Sequence, residues 1–81
     1  MGYHVKKISK GVLGNQSKIT EEYEEFLDSV NQNNPIMSLV ELSDLIGAIE
    51  AYTIHKHGIT LHDLITMTKA TQSAFKDGVR K

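Results

Sequence analysis

Residues 36–57, IMSLVELSDLIGAIEAYTIHKH, read as one unbroken helix, and no other segment constrains the chain as much. At 1.5 Å per residue this helix is about 30 Å long, the width of a small domain. On a wheel of about 100° per residue, Leu39, Leu42, Leu45, Ile46 and Ile49 share one broad side, and Val40, Ala51 and Ile54 occupy much of the other. A helix apolar around most of its circumference is buried on more than one face. The chain has 81 residues, enough for one domain but too few to surround that helix with layers of its own. Chains of this size bury only about 60% of their unfolded surface. Part of the long helix is therefore expected to meet a partner subunit.

Its flanks define the other elements. NQNNP at 31–35 is a break, because Asn favours turns and Pro35 suits the first position of a helix. Gly58 stands where a helix-ending glycine belongs, after His55, Lys56 and His57 at the negative end of the dipole. An earlier helix starts with Ser17 or Thr20 as N-cap and runs to about Val30, with Ile19, Tyr23, Phe26, Leu27 and Val30 on one face. Thr60 caps a third helix, with Asp63 completing an imperfect capping box, and Gly78 ends it after Phe75–Asp77. Residues 1–16 hold Gly2, Gly11 and Gly14 without a sustained period and read as an irregular arm, with a short ordered piece at Tyr3–Ile8. The expected fold is all-α: a helical hairpin plus a third helix over 17–81, completing a four-helix bundle by dimerisation.

Composition removes several classes of function. Nine basic against ten acidic residues give a net charge of −1, so no excess of positive charge points to nucleic acid or an anionic membrane. There is no cysteine, which excludes disulfides and thiolate metal sites and leaves oxygen and imidazole as ligands. No apolar run approaches the ~20 residues that span a bilayer, and MGYHVKKISK lacks the apolar stretch of a secretory leader. The expectation is a cytoplasmic protein.

The long helix carries Glu41 and Asp44 in its middle, about 60° apart on the wheel. Met37, Gly47, Ala48 and Ala51 lie in or beside that sector, and most are small. A buried, unpaired carboxylate costs several kcal/mol, so both acids meet cations or one takes up a proton. The preceding helix offers more acids, Glu21, Glu22, Glu24 and Glu25 in TEEYEEF. If the two helices pack antiparallel, Glu22, Glu25, Glu41 and Asp44 converge. Four carboxylates together repel unless a metal holds them, and a hard divalent ion, Mg²⁺ or Mn²⁺, suits oxygen ligands. Taken alone, EEYEE fits equally well as a solvated first turn. The specificity lies in two such pairs on consecutive helices.

On the third helix Lys69, Ser73, Lys76 and Arg80 follow i, i+4, i+7, i+11, one face if the helix persists past Gly78. A row of cations suits a polyphosphate, and Arg binds phosphate with two parallel bonds. An ordinary basic helix end has the same appearance. Lys18, just before the first acidic pair, is a further cation for that role. His55 and His57 are about 200° apart on a helix and cannot share a ligand geometry. No Glu-x-x-His occurs, which argues against a ferritin-like di-iron site. No P-loop, dinucleotide fingerprint or Ser-His-Asp arrangement is present.

E-E-x-x-E at Glu21–Glu25, followed after 15 residues by E-x-x-D at Glu41–Asp44, resembles the all-α nucleoside triphosphate pyrophosphohydrolases of the MazG type. SKITEE before the first motif and MTKATQSAFKDGVR at the end extend the resemblance over roughly residues 11–81, toward the small stand-alone and phage-encoded members. The resemblance implies Mg²⁺-dependent cleavage of a nucleoside triphosphate to monophosphate and pyrophosphate by a dimer or a dimer of dimers. Carried over by motif, Glu22, Glu25, Glu41 and Asp44 would be metal ligands and Glu21 would position or deprotonate the attacking water. Lys69 and Arg80 would contact phosphate, with Lys76 and Lys18 beside them. The chain is shorter than the family pattern, so the surface that reads the base would be open or built across the dimer. Two other readings stand beside this one: a non-catalytic helical interaction protein, and a regulator that binds a triphosphate or an alarmone without hydrolysing it.

Overall fold

The computed structural model describes His4 and residues 6–78. Among them are three helices and no strand: α1 (Gln16–Asn31), α2 (Pro35–His57) and α3 (Leu61–Lys76). No helix among the described residues is long and apolar enough to cross a membrane. Arg80 lies outside the described residues, as do Tyr3 and Val5 of the expected ordered piece at Tyr3–Ile8. Lys6–Ile8 form neither helix nor strand.

The turn chemistry sets the hairpin. Asn33 takes a left-handed conformation at φ 56°, one that Asn tolerates better than most residues. The Asn34 side chain then accepts from the Met37 amide at 3.1 Å, with Pro35 at the first helical position. At the other end of α2, Gly58 (φ 65°) closes the helix in the left-handed region, where a side chain would be strained. Thr60 caps α3 by accepting from the Asp63 amide at 3.1 Å. The start of α1 differs from expectation. Its cap is Asn15, which makes no side-chain capping bond, and Ser17 sits inside the helix with its Oγ accepting from the Val12 amide at 3.0 Å. The arm's own hydrogen bond takes the hydroxyl that would otherwise have capped.

α1 and α2 pack antiparallel along their length, while α3 rests only on α2. Near the turn, Ser29 Oγ meets Ser38 Oγ at 3.1 Å. Farther along the seam lie Glu25 and Glu41, then Ala48, and at the far end Gly14 faces His55. The seam is polar. Glu21, Glu22, Asp28, Ser29 and Glu41 are buried, and Ala48 is the one buried apolar side chain among the described residues. The apolar stripe of α1 turns outward, leaving Tyr23, Leu27 and Val30 exposed. α2 likewise exposes Ile36 (76%), Leu39 (70%), Ile46 and Ile54. A monomeric soluble domain seldom shows so much apolar surface.

Candidate metal centre

The antiparallel register places the α1 acids opposite the α2 acids. Glu21 and Glu25 are one turn apart on α1, with Glu22 beside them, and Glu41 and Asp44 are one turn apart on α2. Ligand atoms of Glu21, Glu22 and Glu25 lie within 4.8 Å of one another, and so do those of Glu22, Glu41 and Asp44. Glu22 thus stands near Glu25 on its own helix and near Glu41 and Asp44 across the seam, and Glu25 approaches Glu41, while Glu25 and Asp44 share no such group. Glu41 is 0% exposed, Glu22 is buried, Glu25 is half-buried and Asp44 faces solvent. Gly47 and Ala48 leave room beside them: a cavity of about 520 Å³ is lined by Glu22, Ser43, Asp44, Gly47 and Ala48 among others.

Two residues that the acid motifs do not contain complete the cluster. His4, from the arm, places Nδ1 3.2 Å from Asp28 Oδ2 and Nε2 3.4 Å from both Glu25 Oε1 and Glu41 Oε2. Asp28, one turn beyond Glu25, also accepts from the Lys6 amide at 3.3 Å and from Gln32 Nε2 at 2.8 Å. It therefore anchors the start of the described arm on α1. Glu21 anchors the arm's later part, accepting from the Gly11 amide at 2.8 Å. The arm thus runs back along α1, and Lys6 and Lys10 line a cavity of about 440 Å³ with Lys18, Glu21, Glu22 and Glu25.

Charge is unevenly compensated across these acids. Lys18 Nζ stands 3.1 Å from both Glu21 Oε1 and Glu22 Oε2, and these bonds raise its pKa. Burial pushes the Glu21 carboxyl up, but the Gly11 amide and Lys18 outweigh it and hold the group below its ordinary value. Glu25 goes the other way, to about 7, through burial and the neighbouring charges of Glu22 and Glu41, with His4 opposing. Burial also raises Glu41, opposed by His4 and reinforced by Asp44 and Glu22. Glu22 Oε1 and both carboxylate oxygens of Glu41 are buried with no hydrogen-bond partner. Native interiors seldom leave such atoms unsatisfied, and a bound cation is one of the standard ways to satisfy them.

The basic residues of α3 stand elsewhere. Lys69 and Lys76 are exposed, and α3 makes no packing contact with α1. Neither residue lines the two cavities beside the acids. Among the described residues, the lysines that line the acid-walled cavity are Lys6, Lys10 and Lys18. No protein-family model, curated protein or solved structure matches this chain.

Proposed function

We propose that this chain is a divalent-cation-dependent nucleoside triphosphate pyrophosphohydrolase of the MazG-like type, acting as a homo-oligomer in the cytoplasm. The observation that carries the reading is Glu41: a fully buried carboxylate with no hydrogen-bond partner, facing Glu22 and Glu25 across the hairpin seam and Asp44 along its own helix. A cluster of this kind fits a hard cation held by oxygen, Mg²⁺ or Mn²⁺. Glu22, Glu25, Glu41 and Asp44 would hold it. When bound, such an ion offsets phosphate charge and lowers the pKa of a coordinated water.

The chain's own residues supply the rest. Lys18, with Lys6 and Lys10 on the wall of the same cavity, offers positive charge to a polyphosphate. Glu21 stays ionised under the pull of Gly11 and Lys18, so it serves as a fixed acceptor that orients the attacking water. Attack at the α-phosphorus breaks the bond to the α–β bridging oxygen, and the cations stabilise the departing pyrophosphate. Lys69 and Lys76 reach such a site when α3 of one protomer lies over the acids of another. The outward apolar residues of α1 and α2 supply the surface for that association, which would complete a four-helix bundle.

The exposed apolar residues also favour a second reading, a helical interaction protein without catalysis, but that reading gives the buried acids no work. The test is incubation of the purified chain with a panel of nucleoside and deoxynucleoside triphosphates, without metal and with Mg²⁺ or Mn²⁺, following pyrophosphate. Metal-dependent release from at least one of them is expected. A folded protein that releases none defeats the proposal.

A further inference from the structure

We propose that His4 is itself a metal ligand, adding an imidazole nitrogen to Glu25 and Glu41, so that the site takes a nitrogen-accepting divalent cation, Zn²⁺, Co²⁺ or Mn²⁺, in preference to Mg²⁺. The inference rests on the cation reading of Glu25 and Glu41 and deepens it.

The geometry of the ring carries the assignment. An ionised carboxylate only accepts hydrogen bonds, so at 3.2 Å His4 Nδ1 has in Asp28 Oδ2 an acceptor for its proton, leaving Nε2 to face a cation held by Glu25 and Glu41. Gln32 Nε2, donating to the same Oδ2 at 2.8 Å, holds Asp28 in place. A carboxylate that orients a histidine through one nitrogen while the other faces the ion is the usual support of an imidazole ligand. Here the other nitrogen, Nε2, stands 3.4 Å from Glu25 Oε1 and 3.4 Å from Glu41 Oε2. Ligand atoms at about 2.0–2.1 Å from a tetrahedral ion are separated by about 3.4 Å from one another. Nε2 therefore stands at ligand spacing from each carboxylate oxygen, and all three donors lie within 4.8 Å of one another. The Glu41 oxygens, buried in the same cluster without a hydrogen-bond partner, are a separate observation that points to a cation ligand.

Nitrogen selects among cations. Imidazole suits zinc and the first-row transition ions, whereas Mg²⁺ takes oxygen almost exclusively. The experiment titrates the full chain with Mg²⁺, Mn²⁺, Co²⁺ and Zn²⁺ by calorimetry, and with Co²⁺ by visible absorption. The His4→Ala variant is measured in parallel. Expected are Co²⁺ and Zn²⁺ affinities at least tenfold above that for Mg²⁺. His4→Ala should lose tenfold or more for Co²⁺ and Zn²⁺ while its Mg²⁺ affinity changes less than threefold. Should the variant fail to fold, imidazole ¹⁵N shifts of the wild-type chain decide the question: Zn²⁺ must move His4 Nε2 and leave Nδ1 protonated. Equal Co²⁺ binding by wild type and variant, or an unmoved Nε2, overturns the proposal and leaves the carboxylate site standing. Absence of binding by any cation to the folded chain overturns both.

Discussion

His4 Nε2 lies 3.4 Å from Glu41 Oε2, so the arm delivers an imidazole to the most deeply buried acid of the hairpin. The residues are 37 positions apart in sequence, and the arm runs back along α1 to bring them together. The pH response expected of the protein, and the metal binding proposed for it, follow from this crowding of acids around one ring.

Without metal, the chain should lose stability as pH rises. The folded-state pKa of Glu25 is about 7 against 4.5 for the free side chain, and that of Glu41 is also raised. Between those values the folded chain binds more protons than the unfolded chain, so the stabilisation present below pH 4.5 is lost as pH passes through 7. The groups facing Glu25 are Glu22, Glu41, Glu21 and His4, and none of these acids relieves the repulsion. In chelator, Tm is expected to fall by about 5 °C or more from pH 5 to pH 8, read by circular dichroism. Saturating divalent ion should reverse the fall, and Glu25→Gln should flatten the slope.

Glu41→Gln separates charge from shape. The amide keeps the volume and removes a buried charge that lacks hydrogen-bond partners. The metal-free variant should be as stable as wild type or more so, and Tm in chelator checks this. The stabilisation that metal gives the wild type should disappear. A variant that still gains Tm with Mg²⁺ or Mn²⁺ would remove Glu41 from the ligand set.

Gly11→Ala tests the clamp on Glu21. A Cβ at this position would collide with the backbone of Ser17 and Lys18, so the arm must shift and the 2.8 Å bond from the Gly11 amide to Glu21 Oε1 is lost. The loss of one such bond to a buried carboxylate costs about 1–3 kcal/mol. A lower Tm and a raised Glu21 pKa in a carboxyl NMR titration are expected. An unchanged titration would mean that the neighbouring side chains, Lys18 first, hold the group down without the Gly11 amide.

Assembly should be visible by dilution. Leu39, Leu42 and Ile46 lie on one side of α2 and are exposed in the single chain. Sedimentation at micromolar concentration should show dimers or tetramers, with a Tm that rises with protein concentration. Leu42→Lys combined with Ile46→Lys should shift the chain to monomer and lower Tm. A wild-type chain that sediments as a monomer at all concentrations would remove the four-helix bundle.

Much of this architecture was legible in the sequence because local chemistry wrote it. Pro35, Gly58 and Thr60 stand within one residue of the helix ends expected from them, and the spacing of Glu22, Glu25, Glu41 and Asp44 was enough to bring them together once the turn was fixed. His4 was not legible. It sits in a glycine- and lysine-rich arm without period, and its contacts to Asp28, Glu25 and Glu41 span 21 to 37 residues, beyond the reach of any local pattern. Asp28 did carry a signal, since Glu22, Glu25 and Asp28 continue one i, i+3 stripe down α1. That stripe was masked by the more obvious apolar one, of which Tyr23, Leu27 and Val30 are exposed while Ile19 and Phe26 are half-buried.

The polar seam has a consequence for how this chain tolerates change. In an ordinary domain, polar replacements outside are harmless and neutralising a charge inside is damaging. With Glu21, Glu22, Asp28 and Glu41 inward and Ile36, Leu39 and Ile54 outward, that ordering is reversed for the isolated protomer. Solubilising substitutions would strike the contact surface, while blunting Glu41 would spare the scaffold and remove the proposed metal ligand. Loss of function and loss of structure should then map to opposite sides of the same helices.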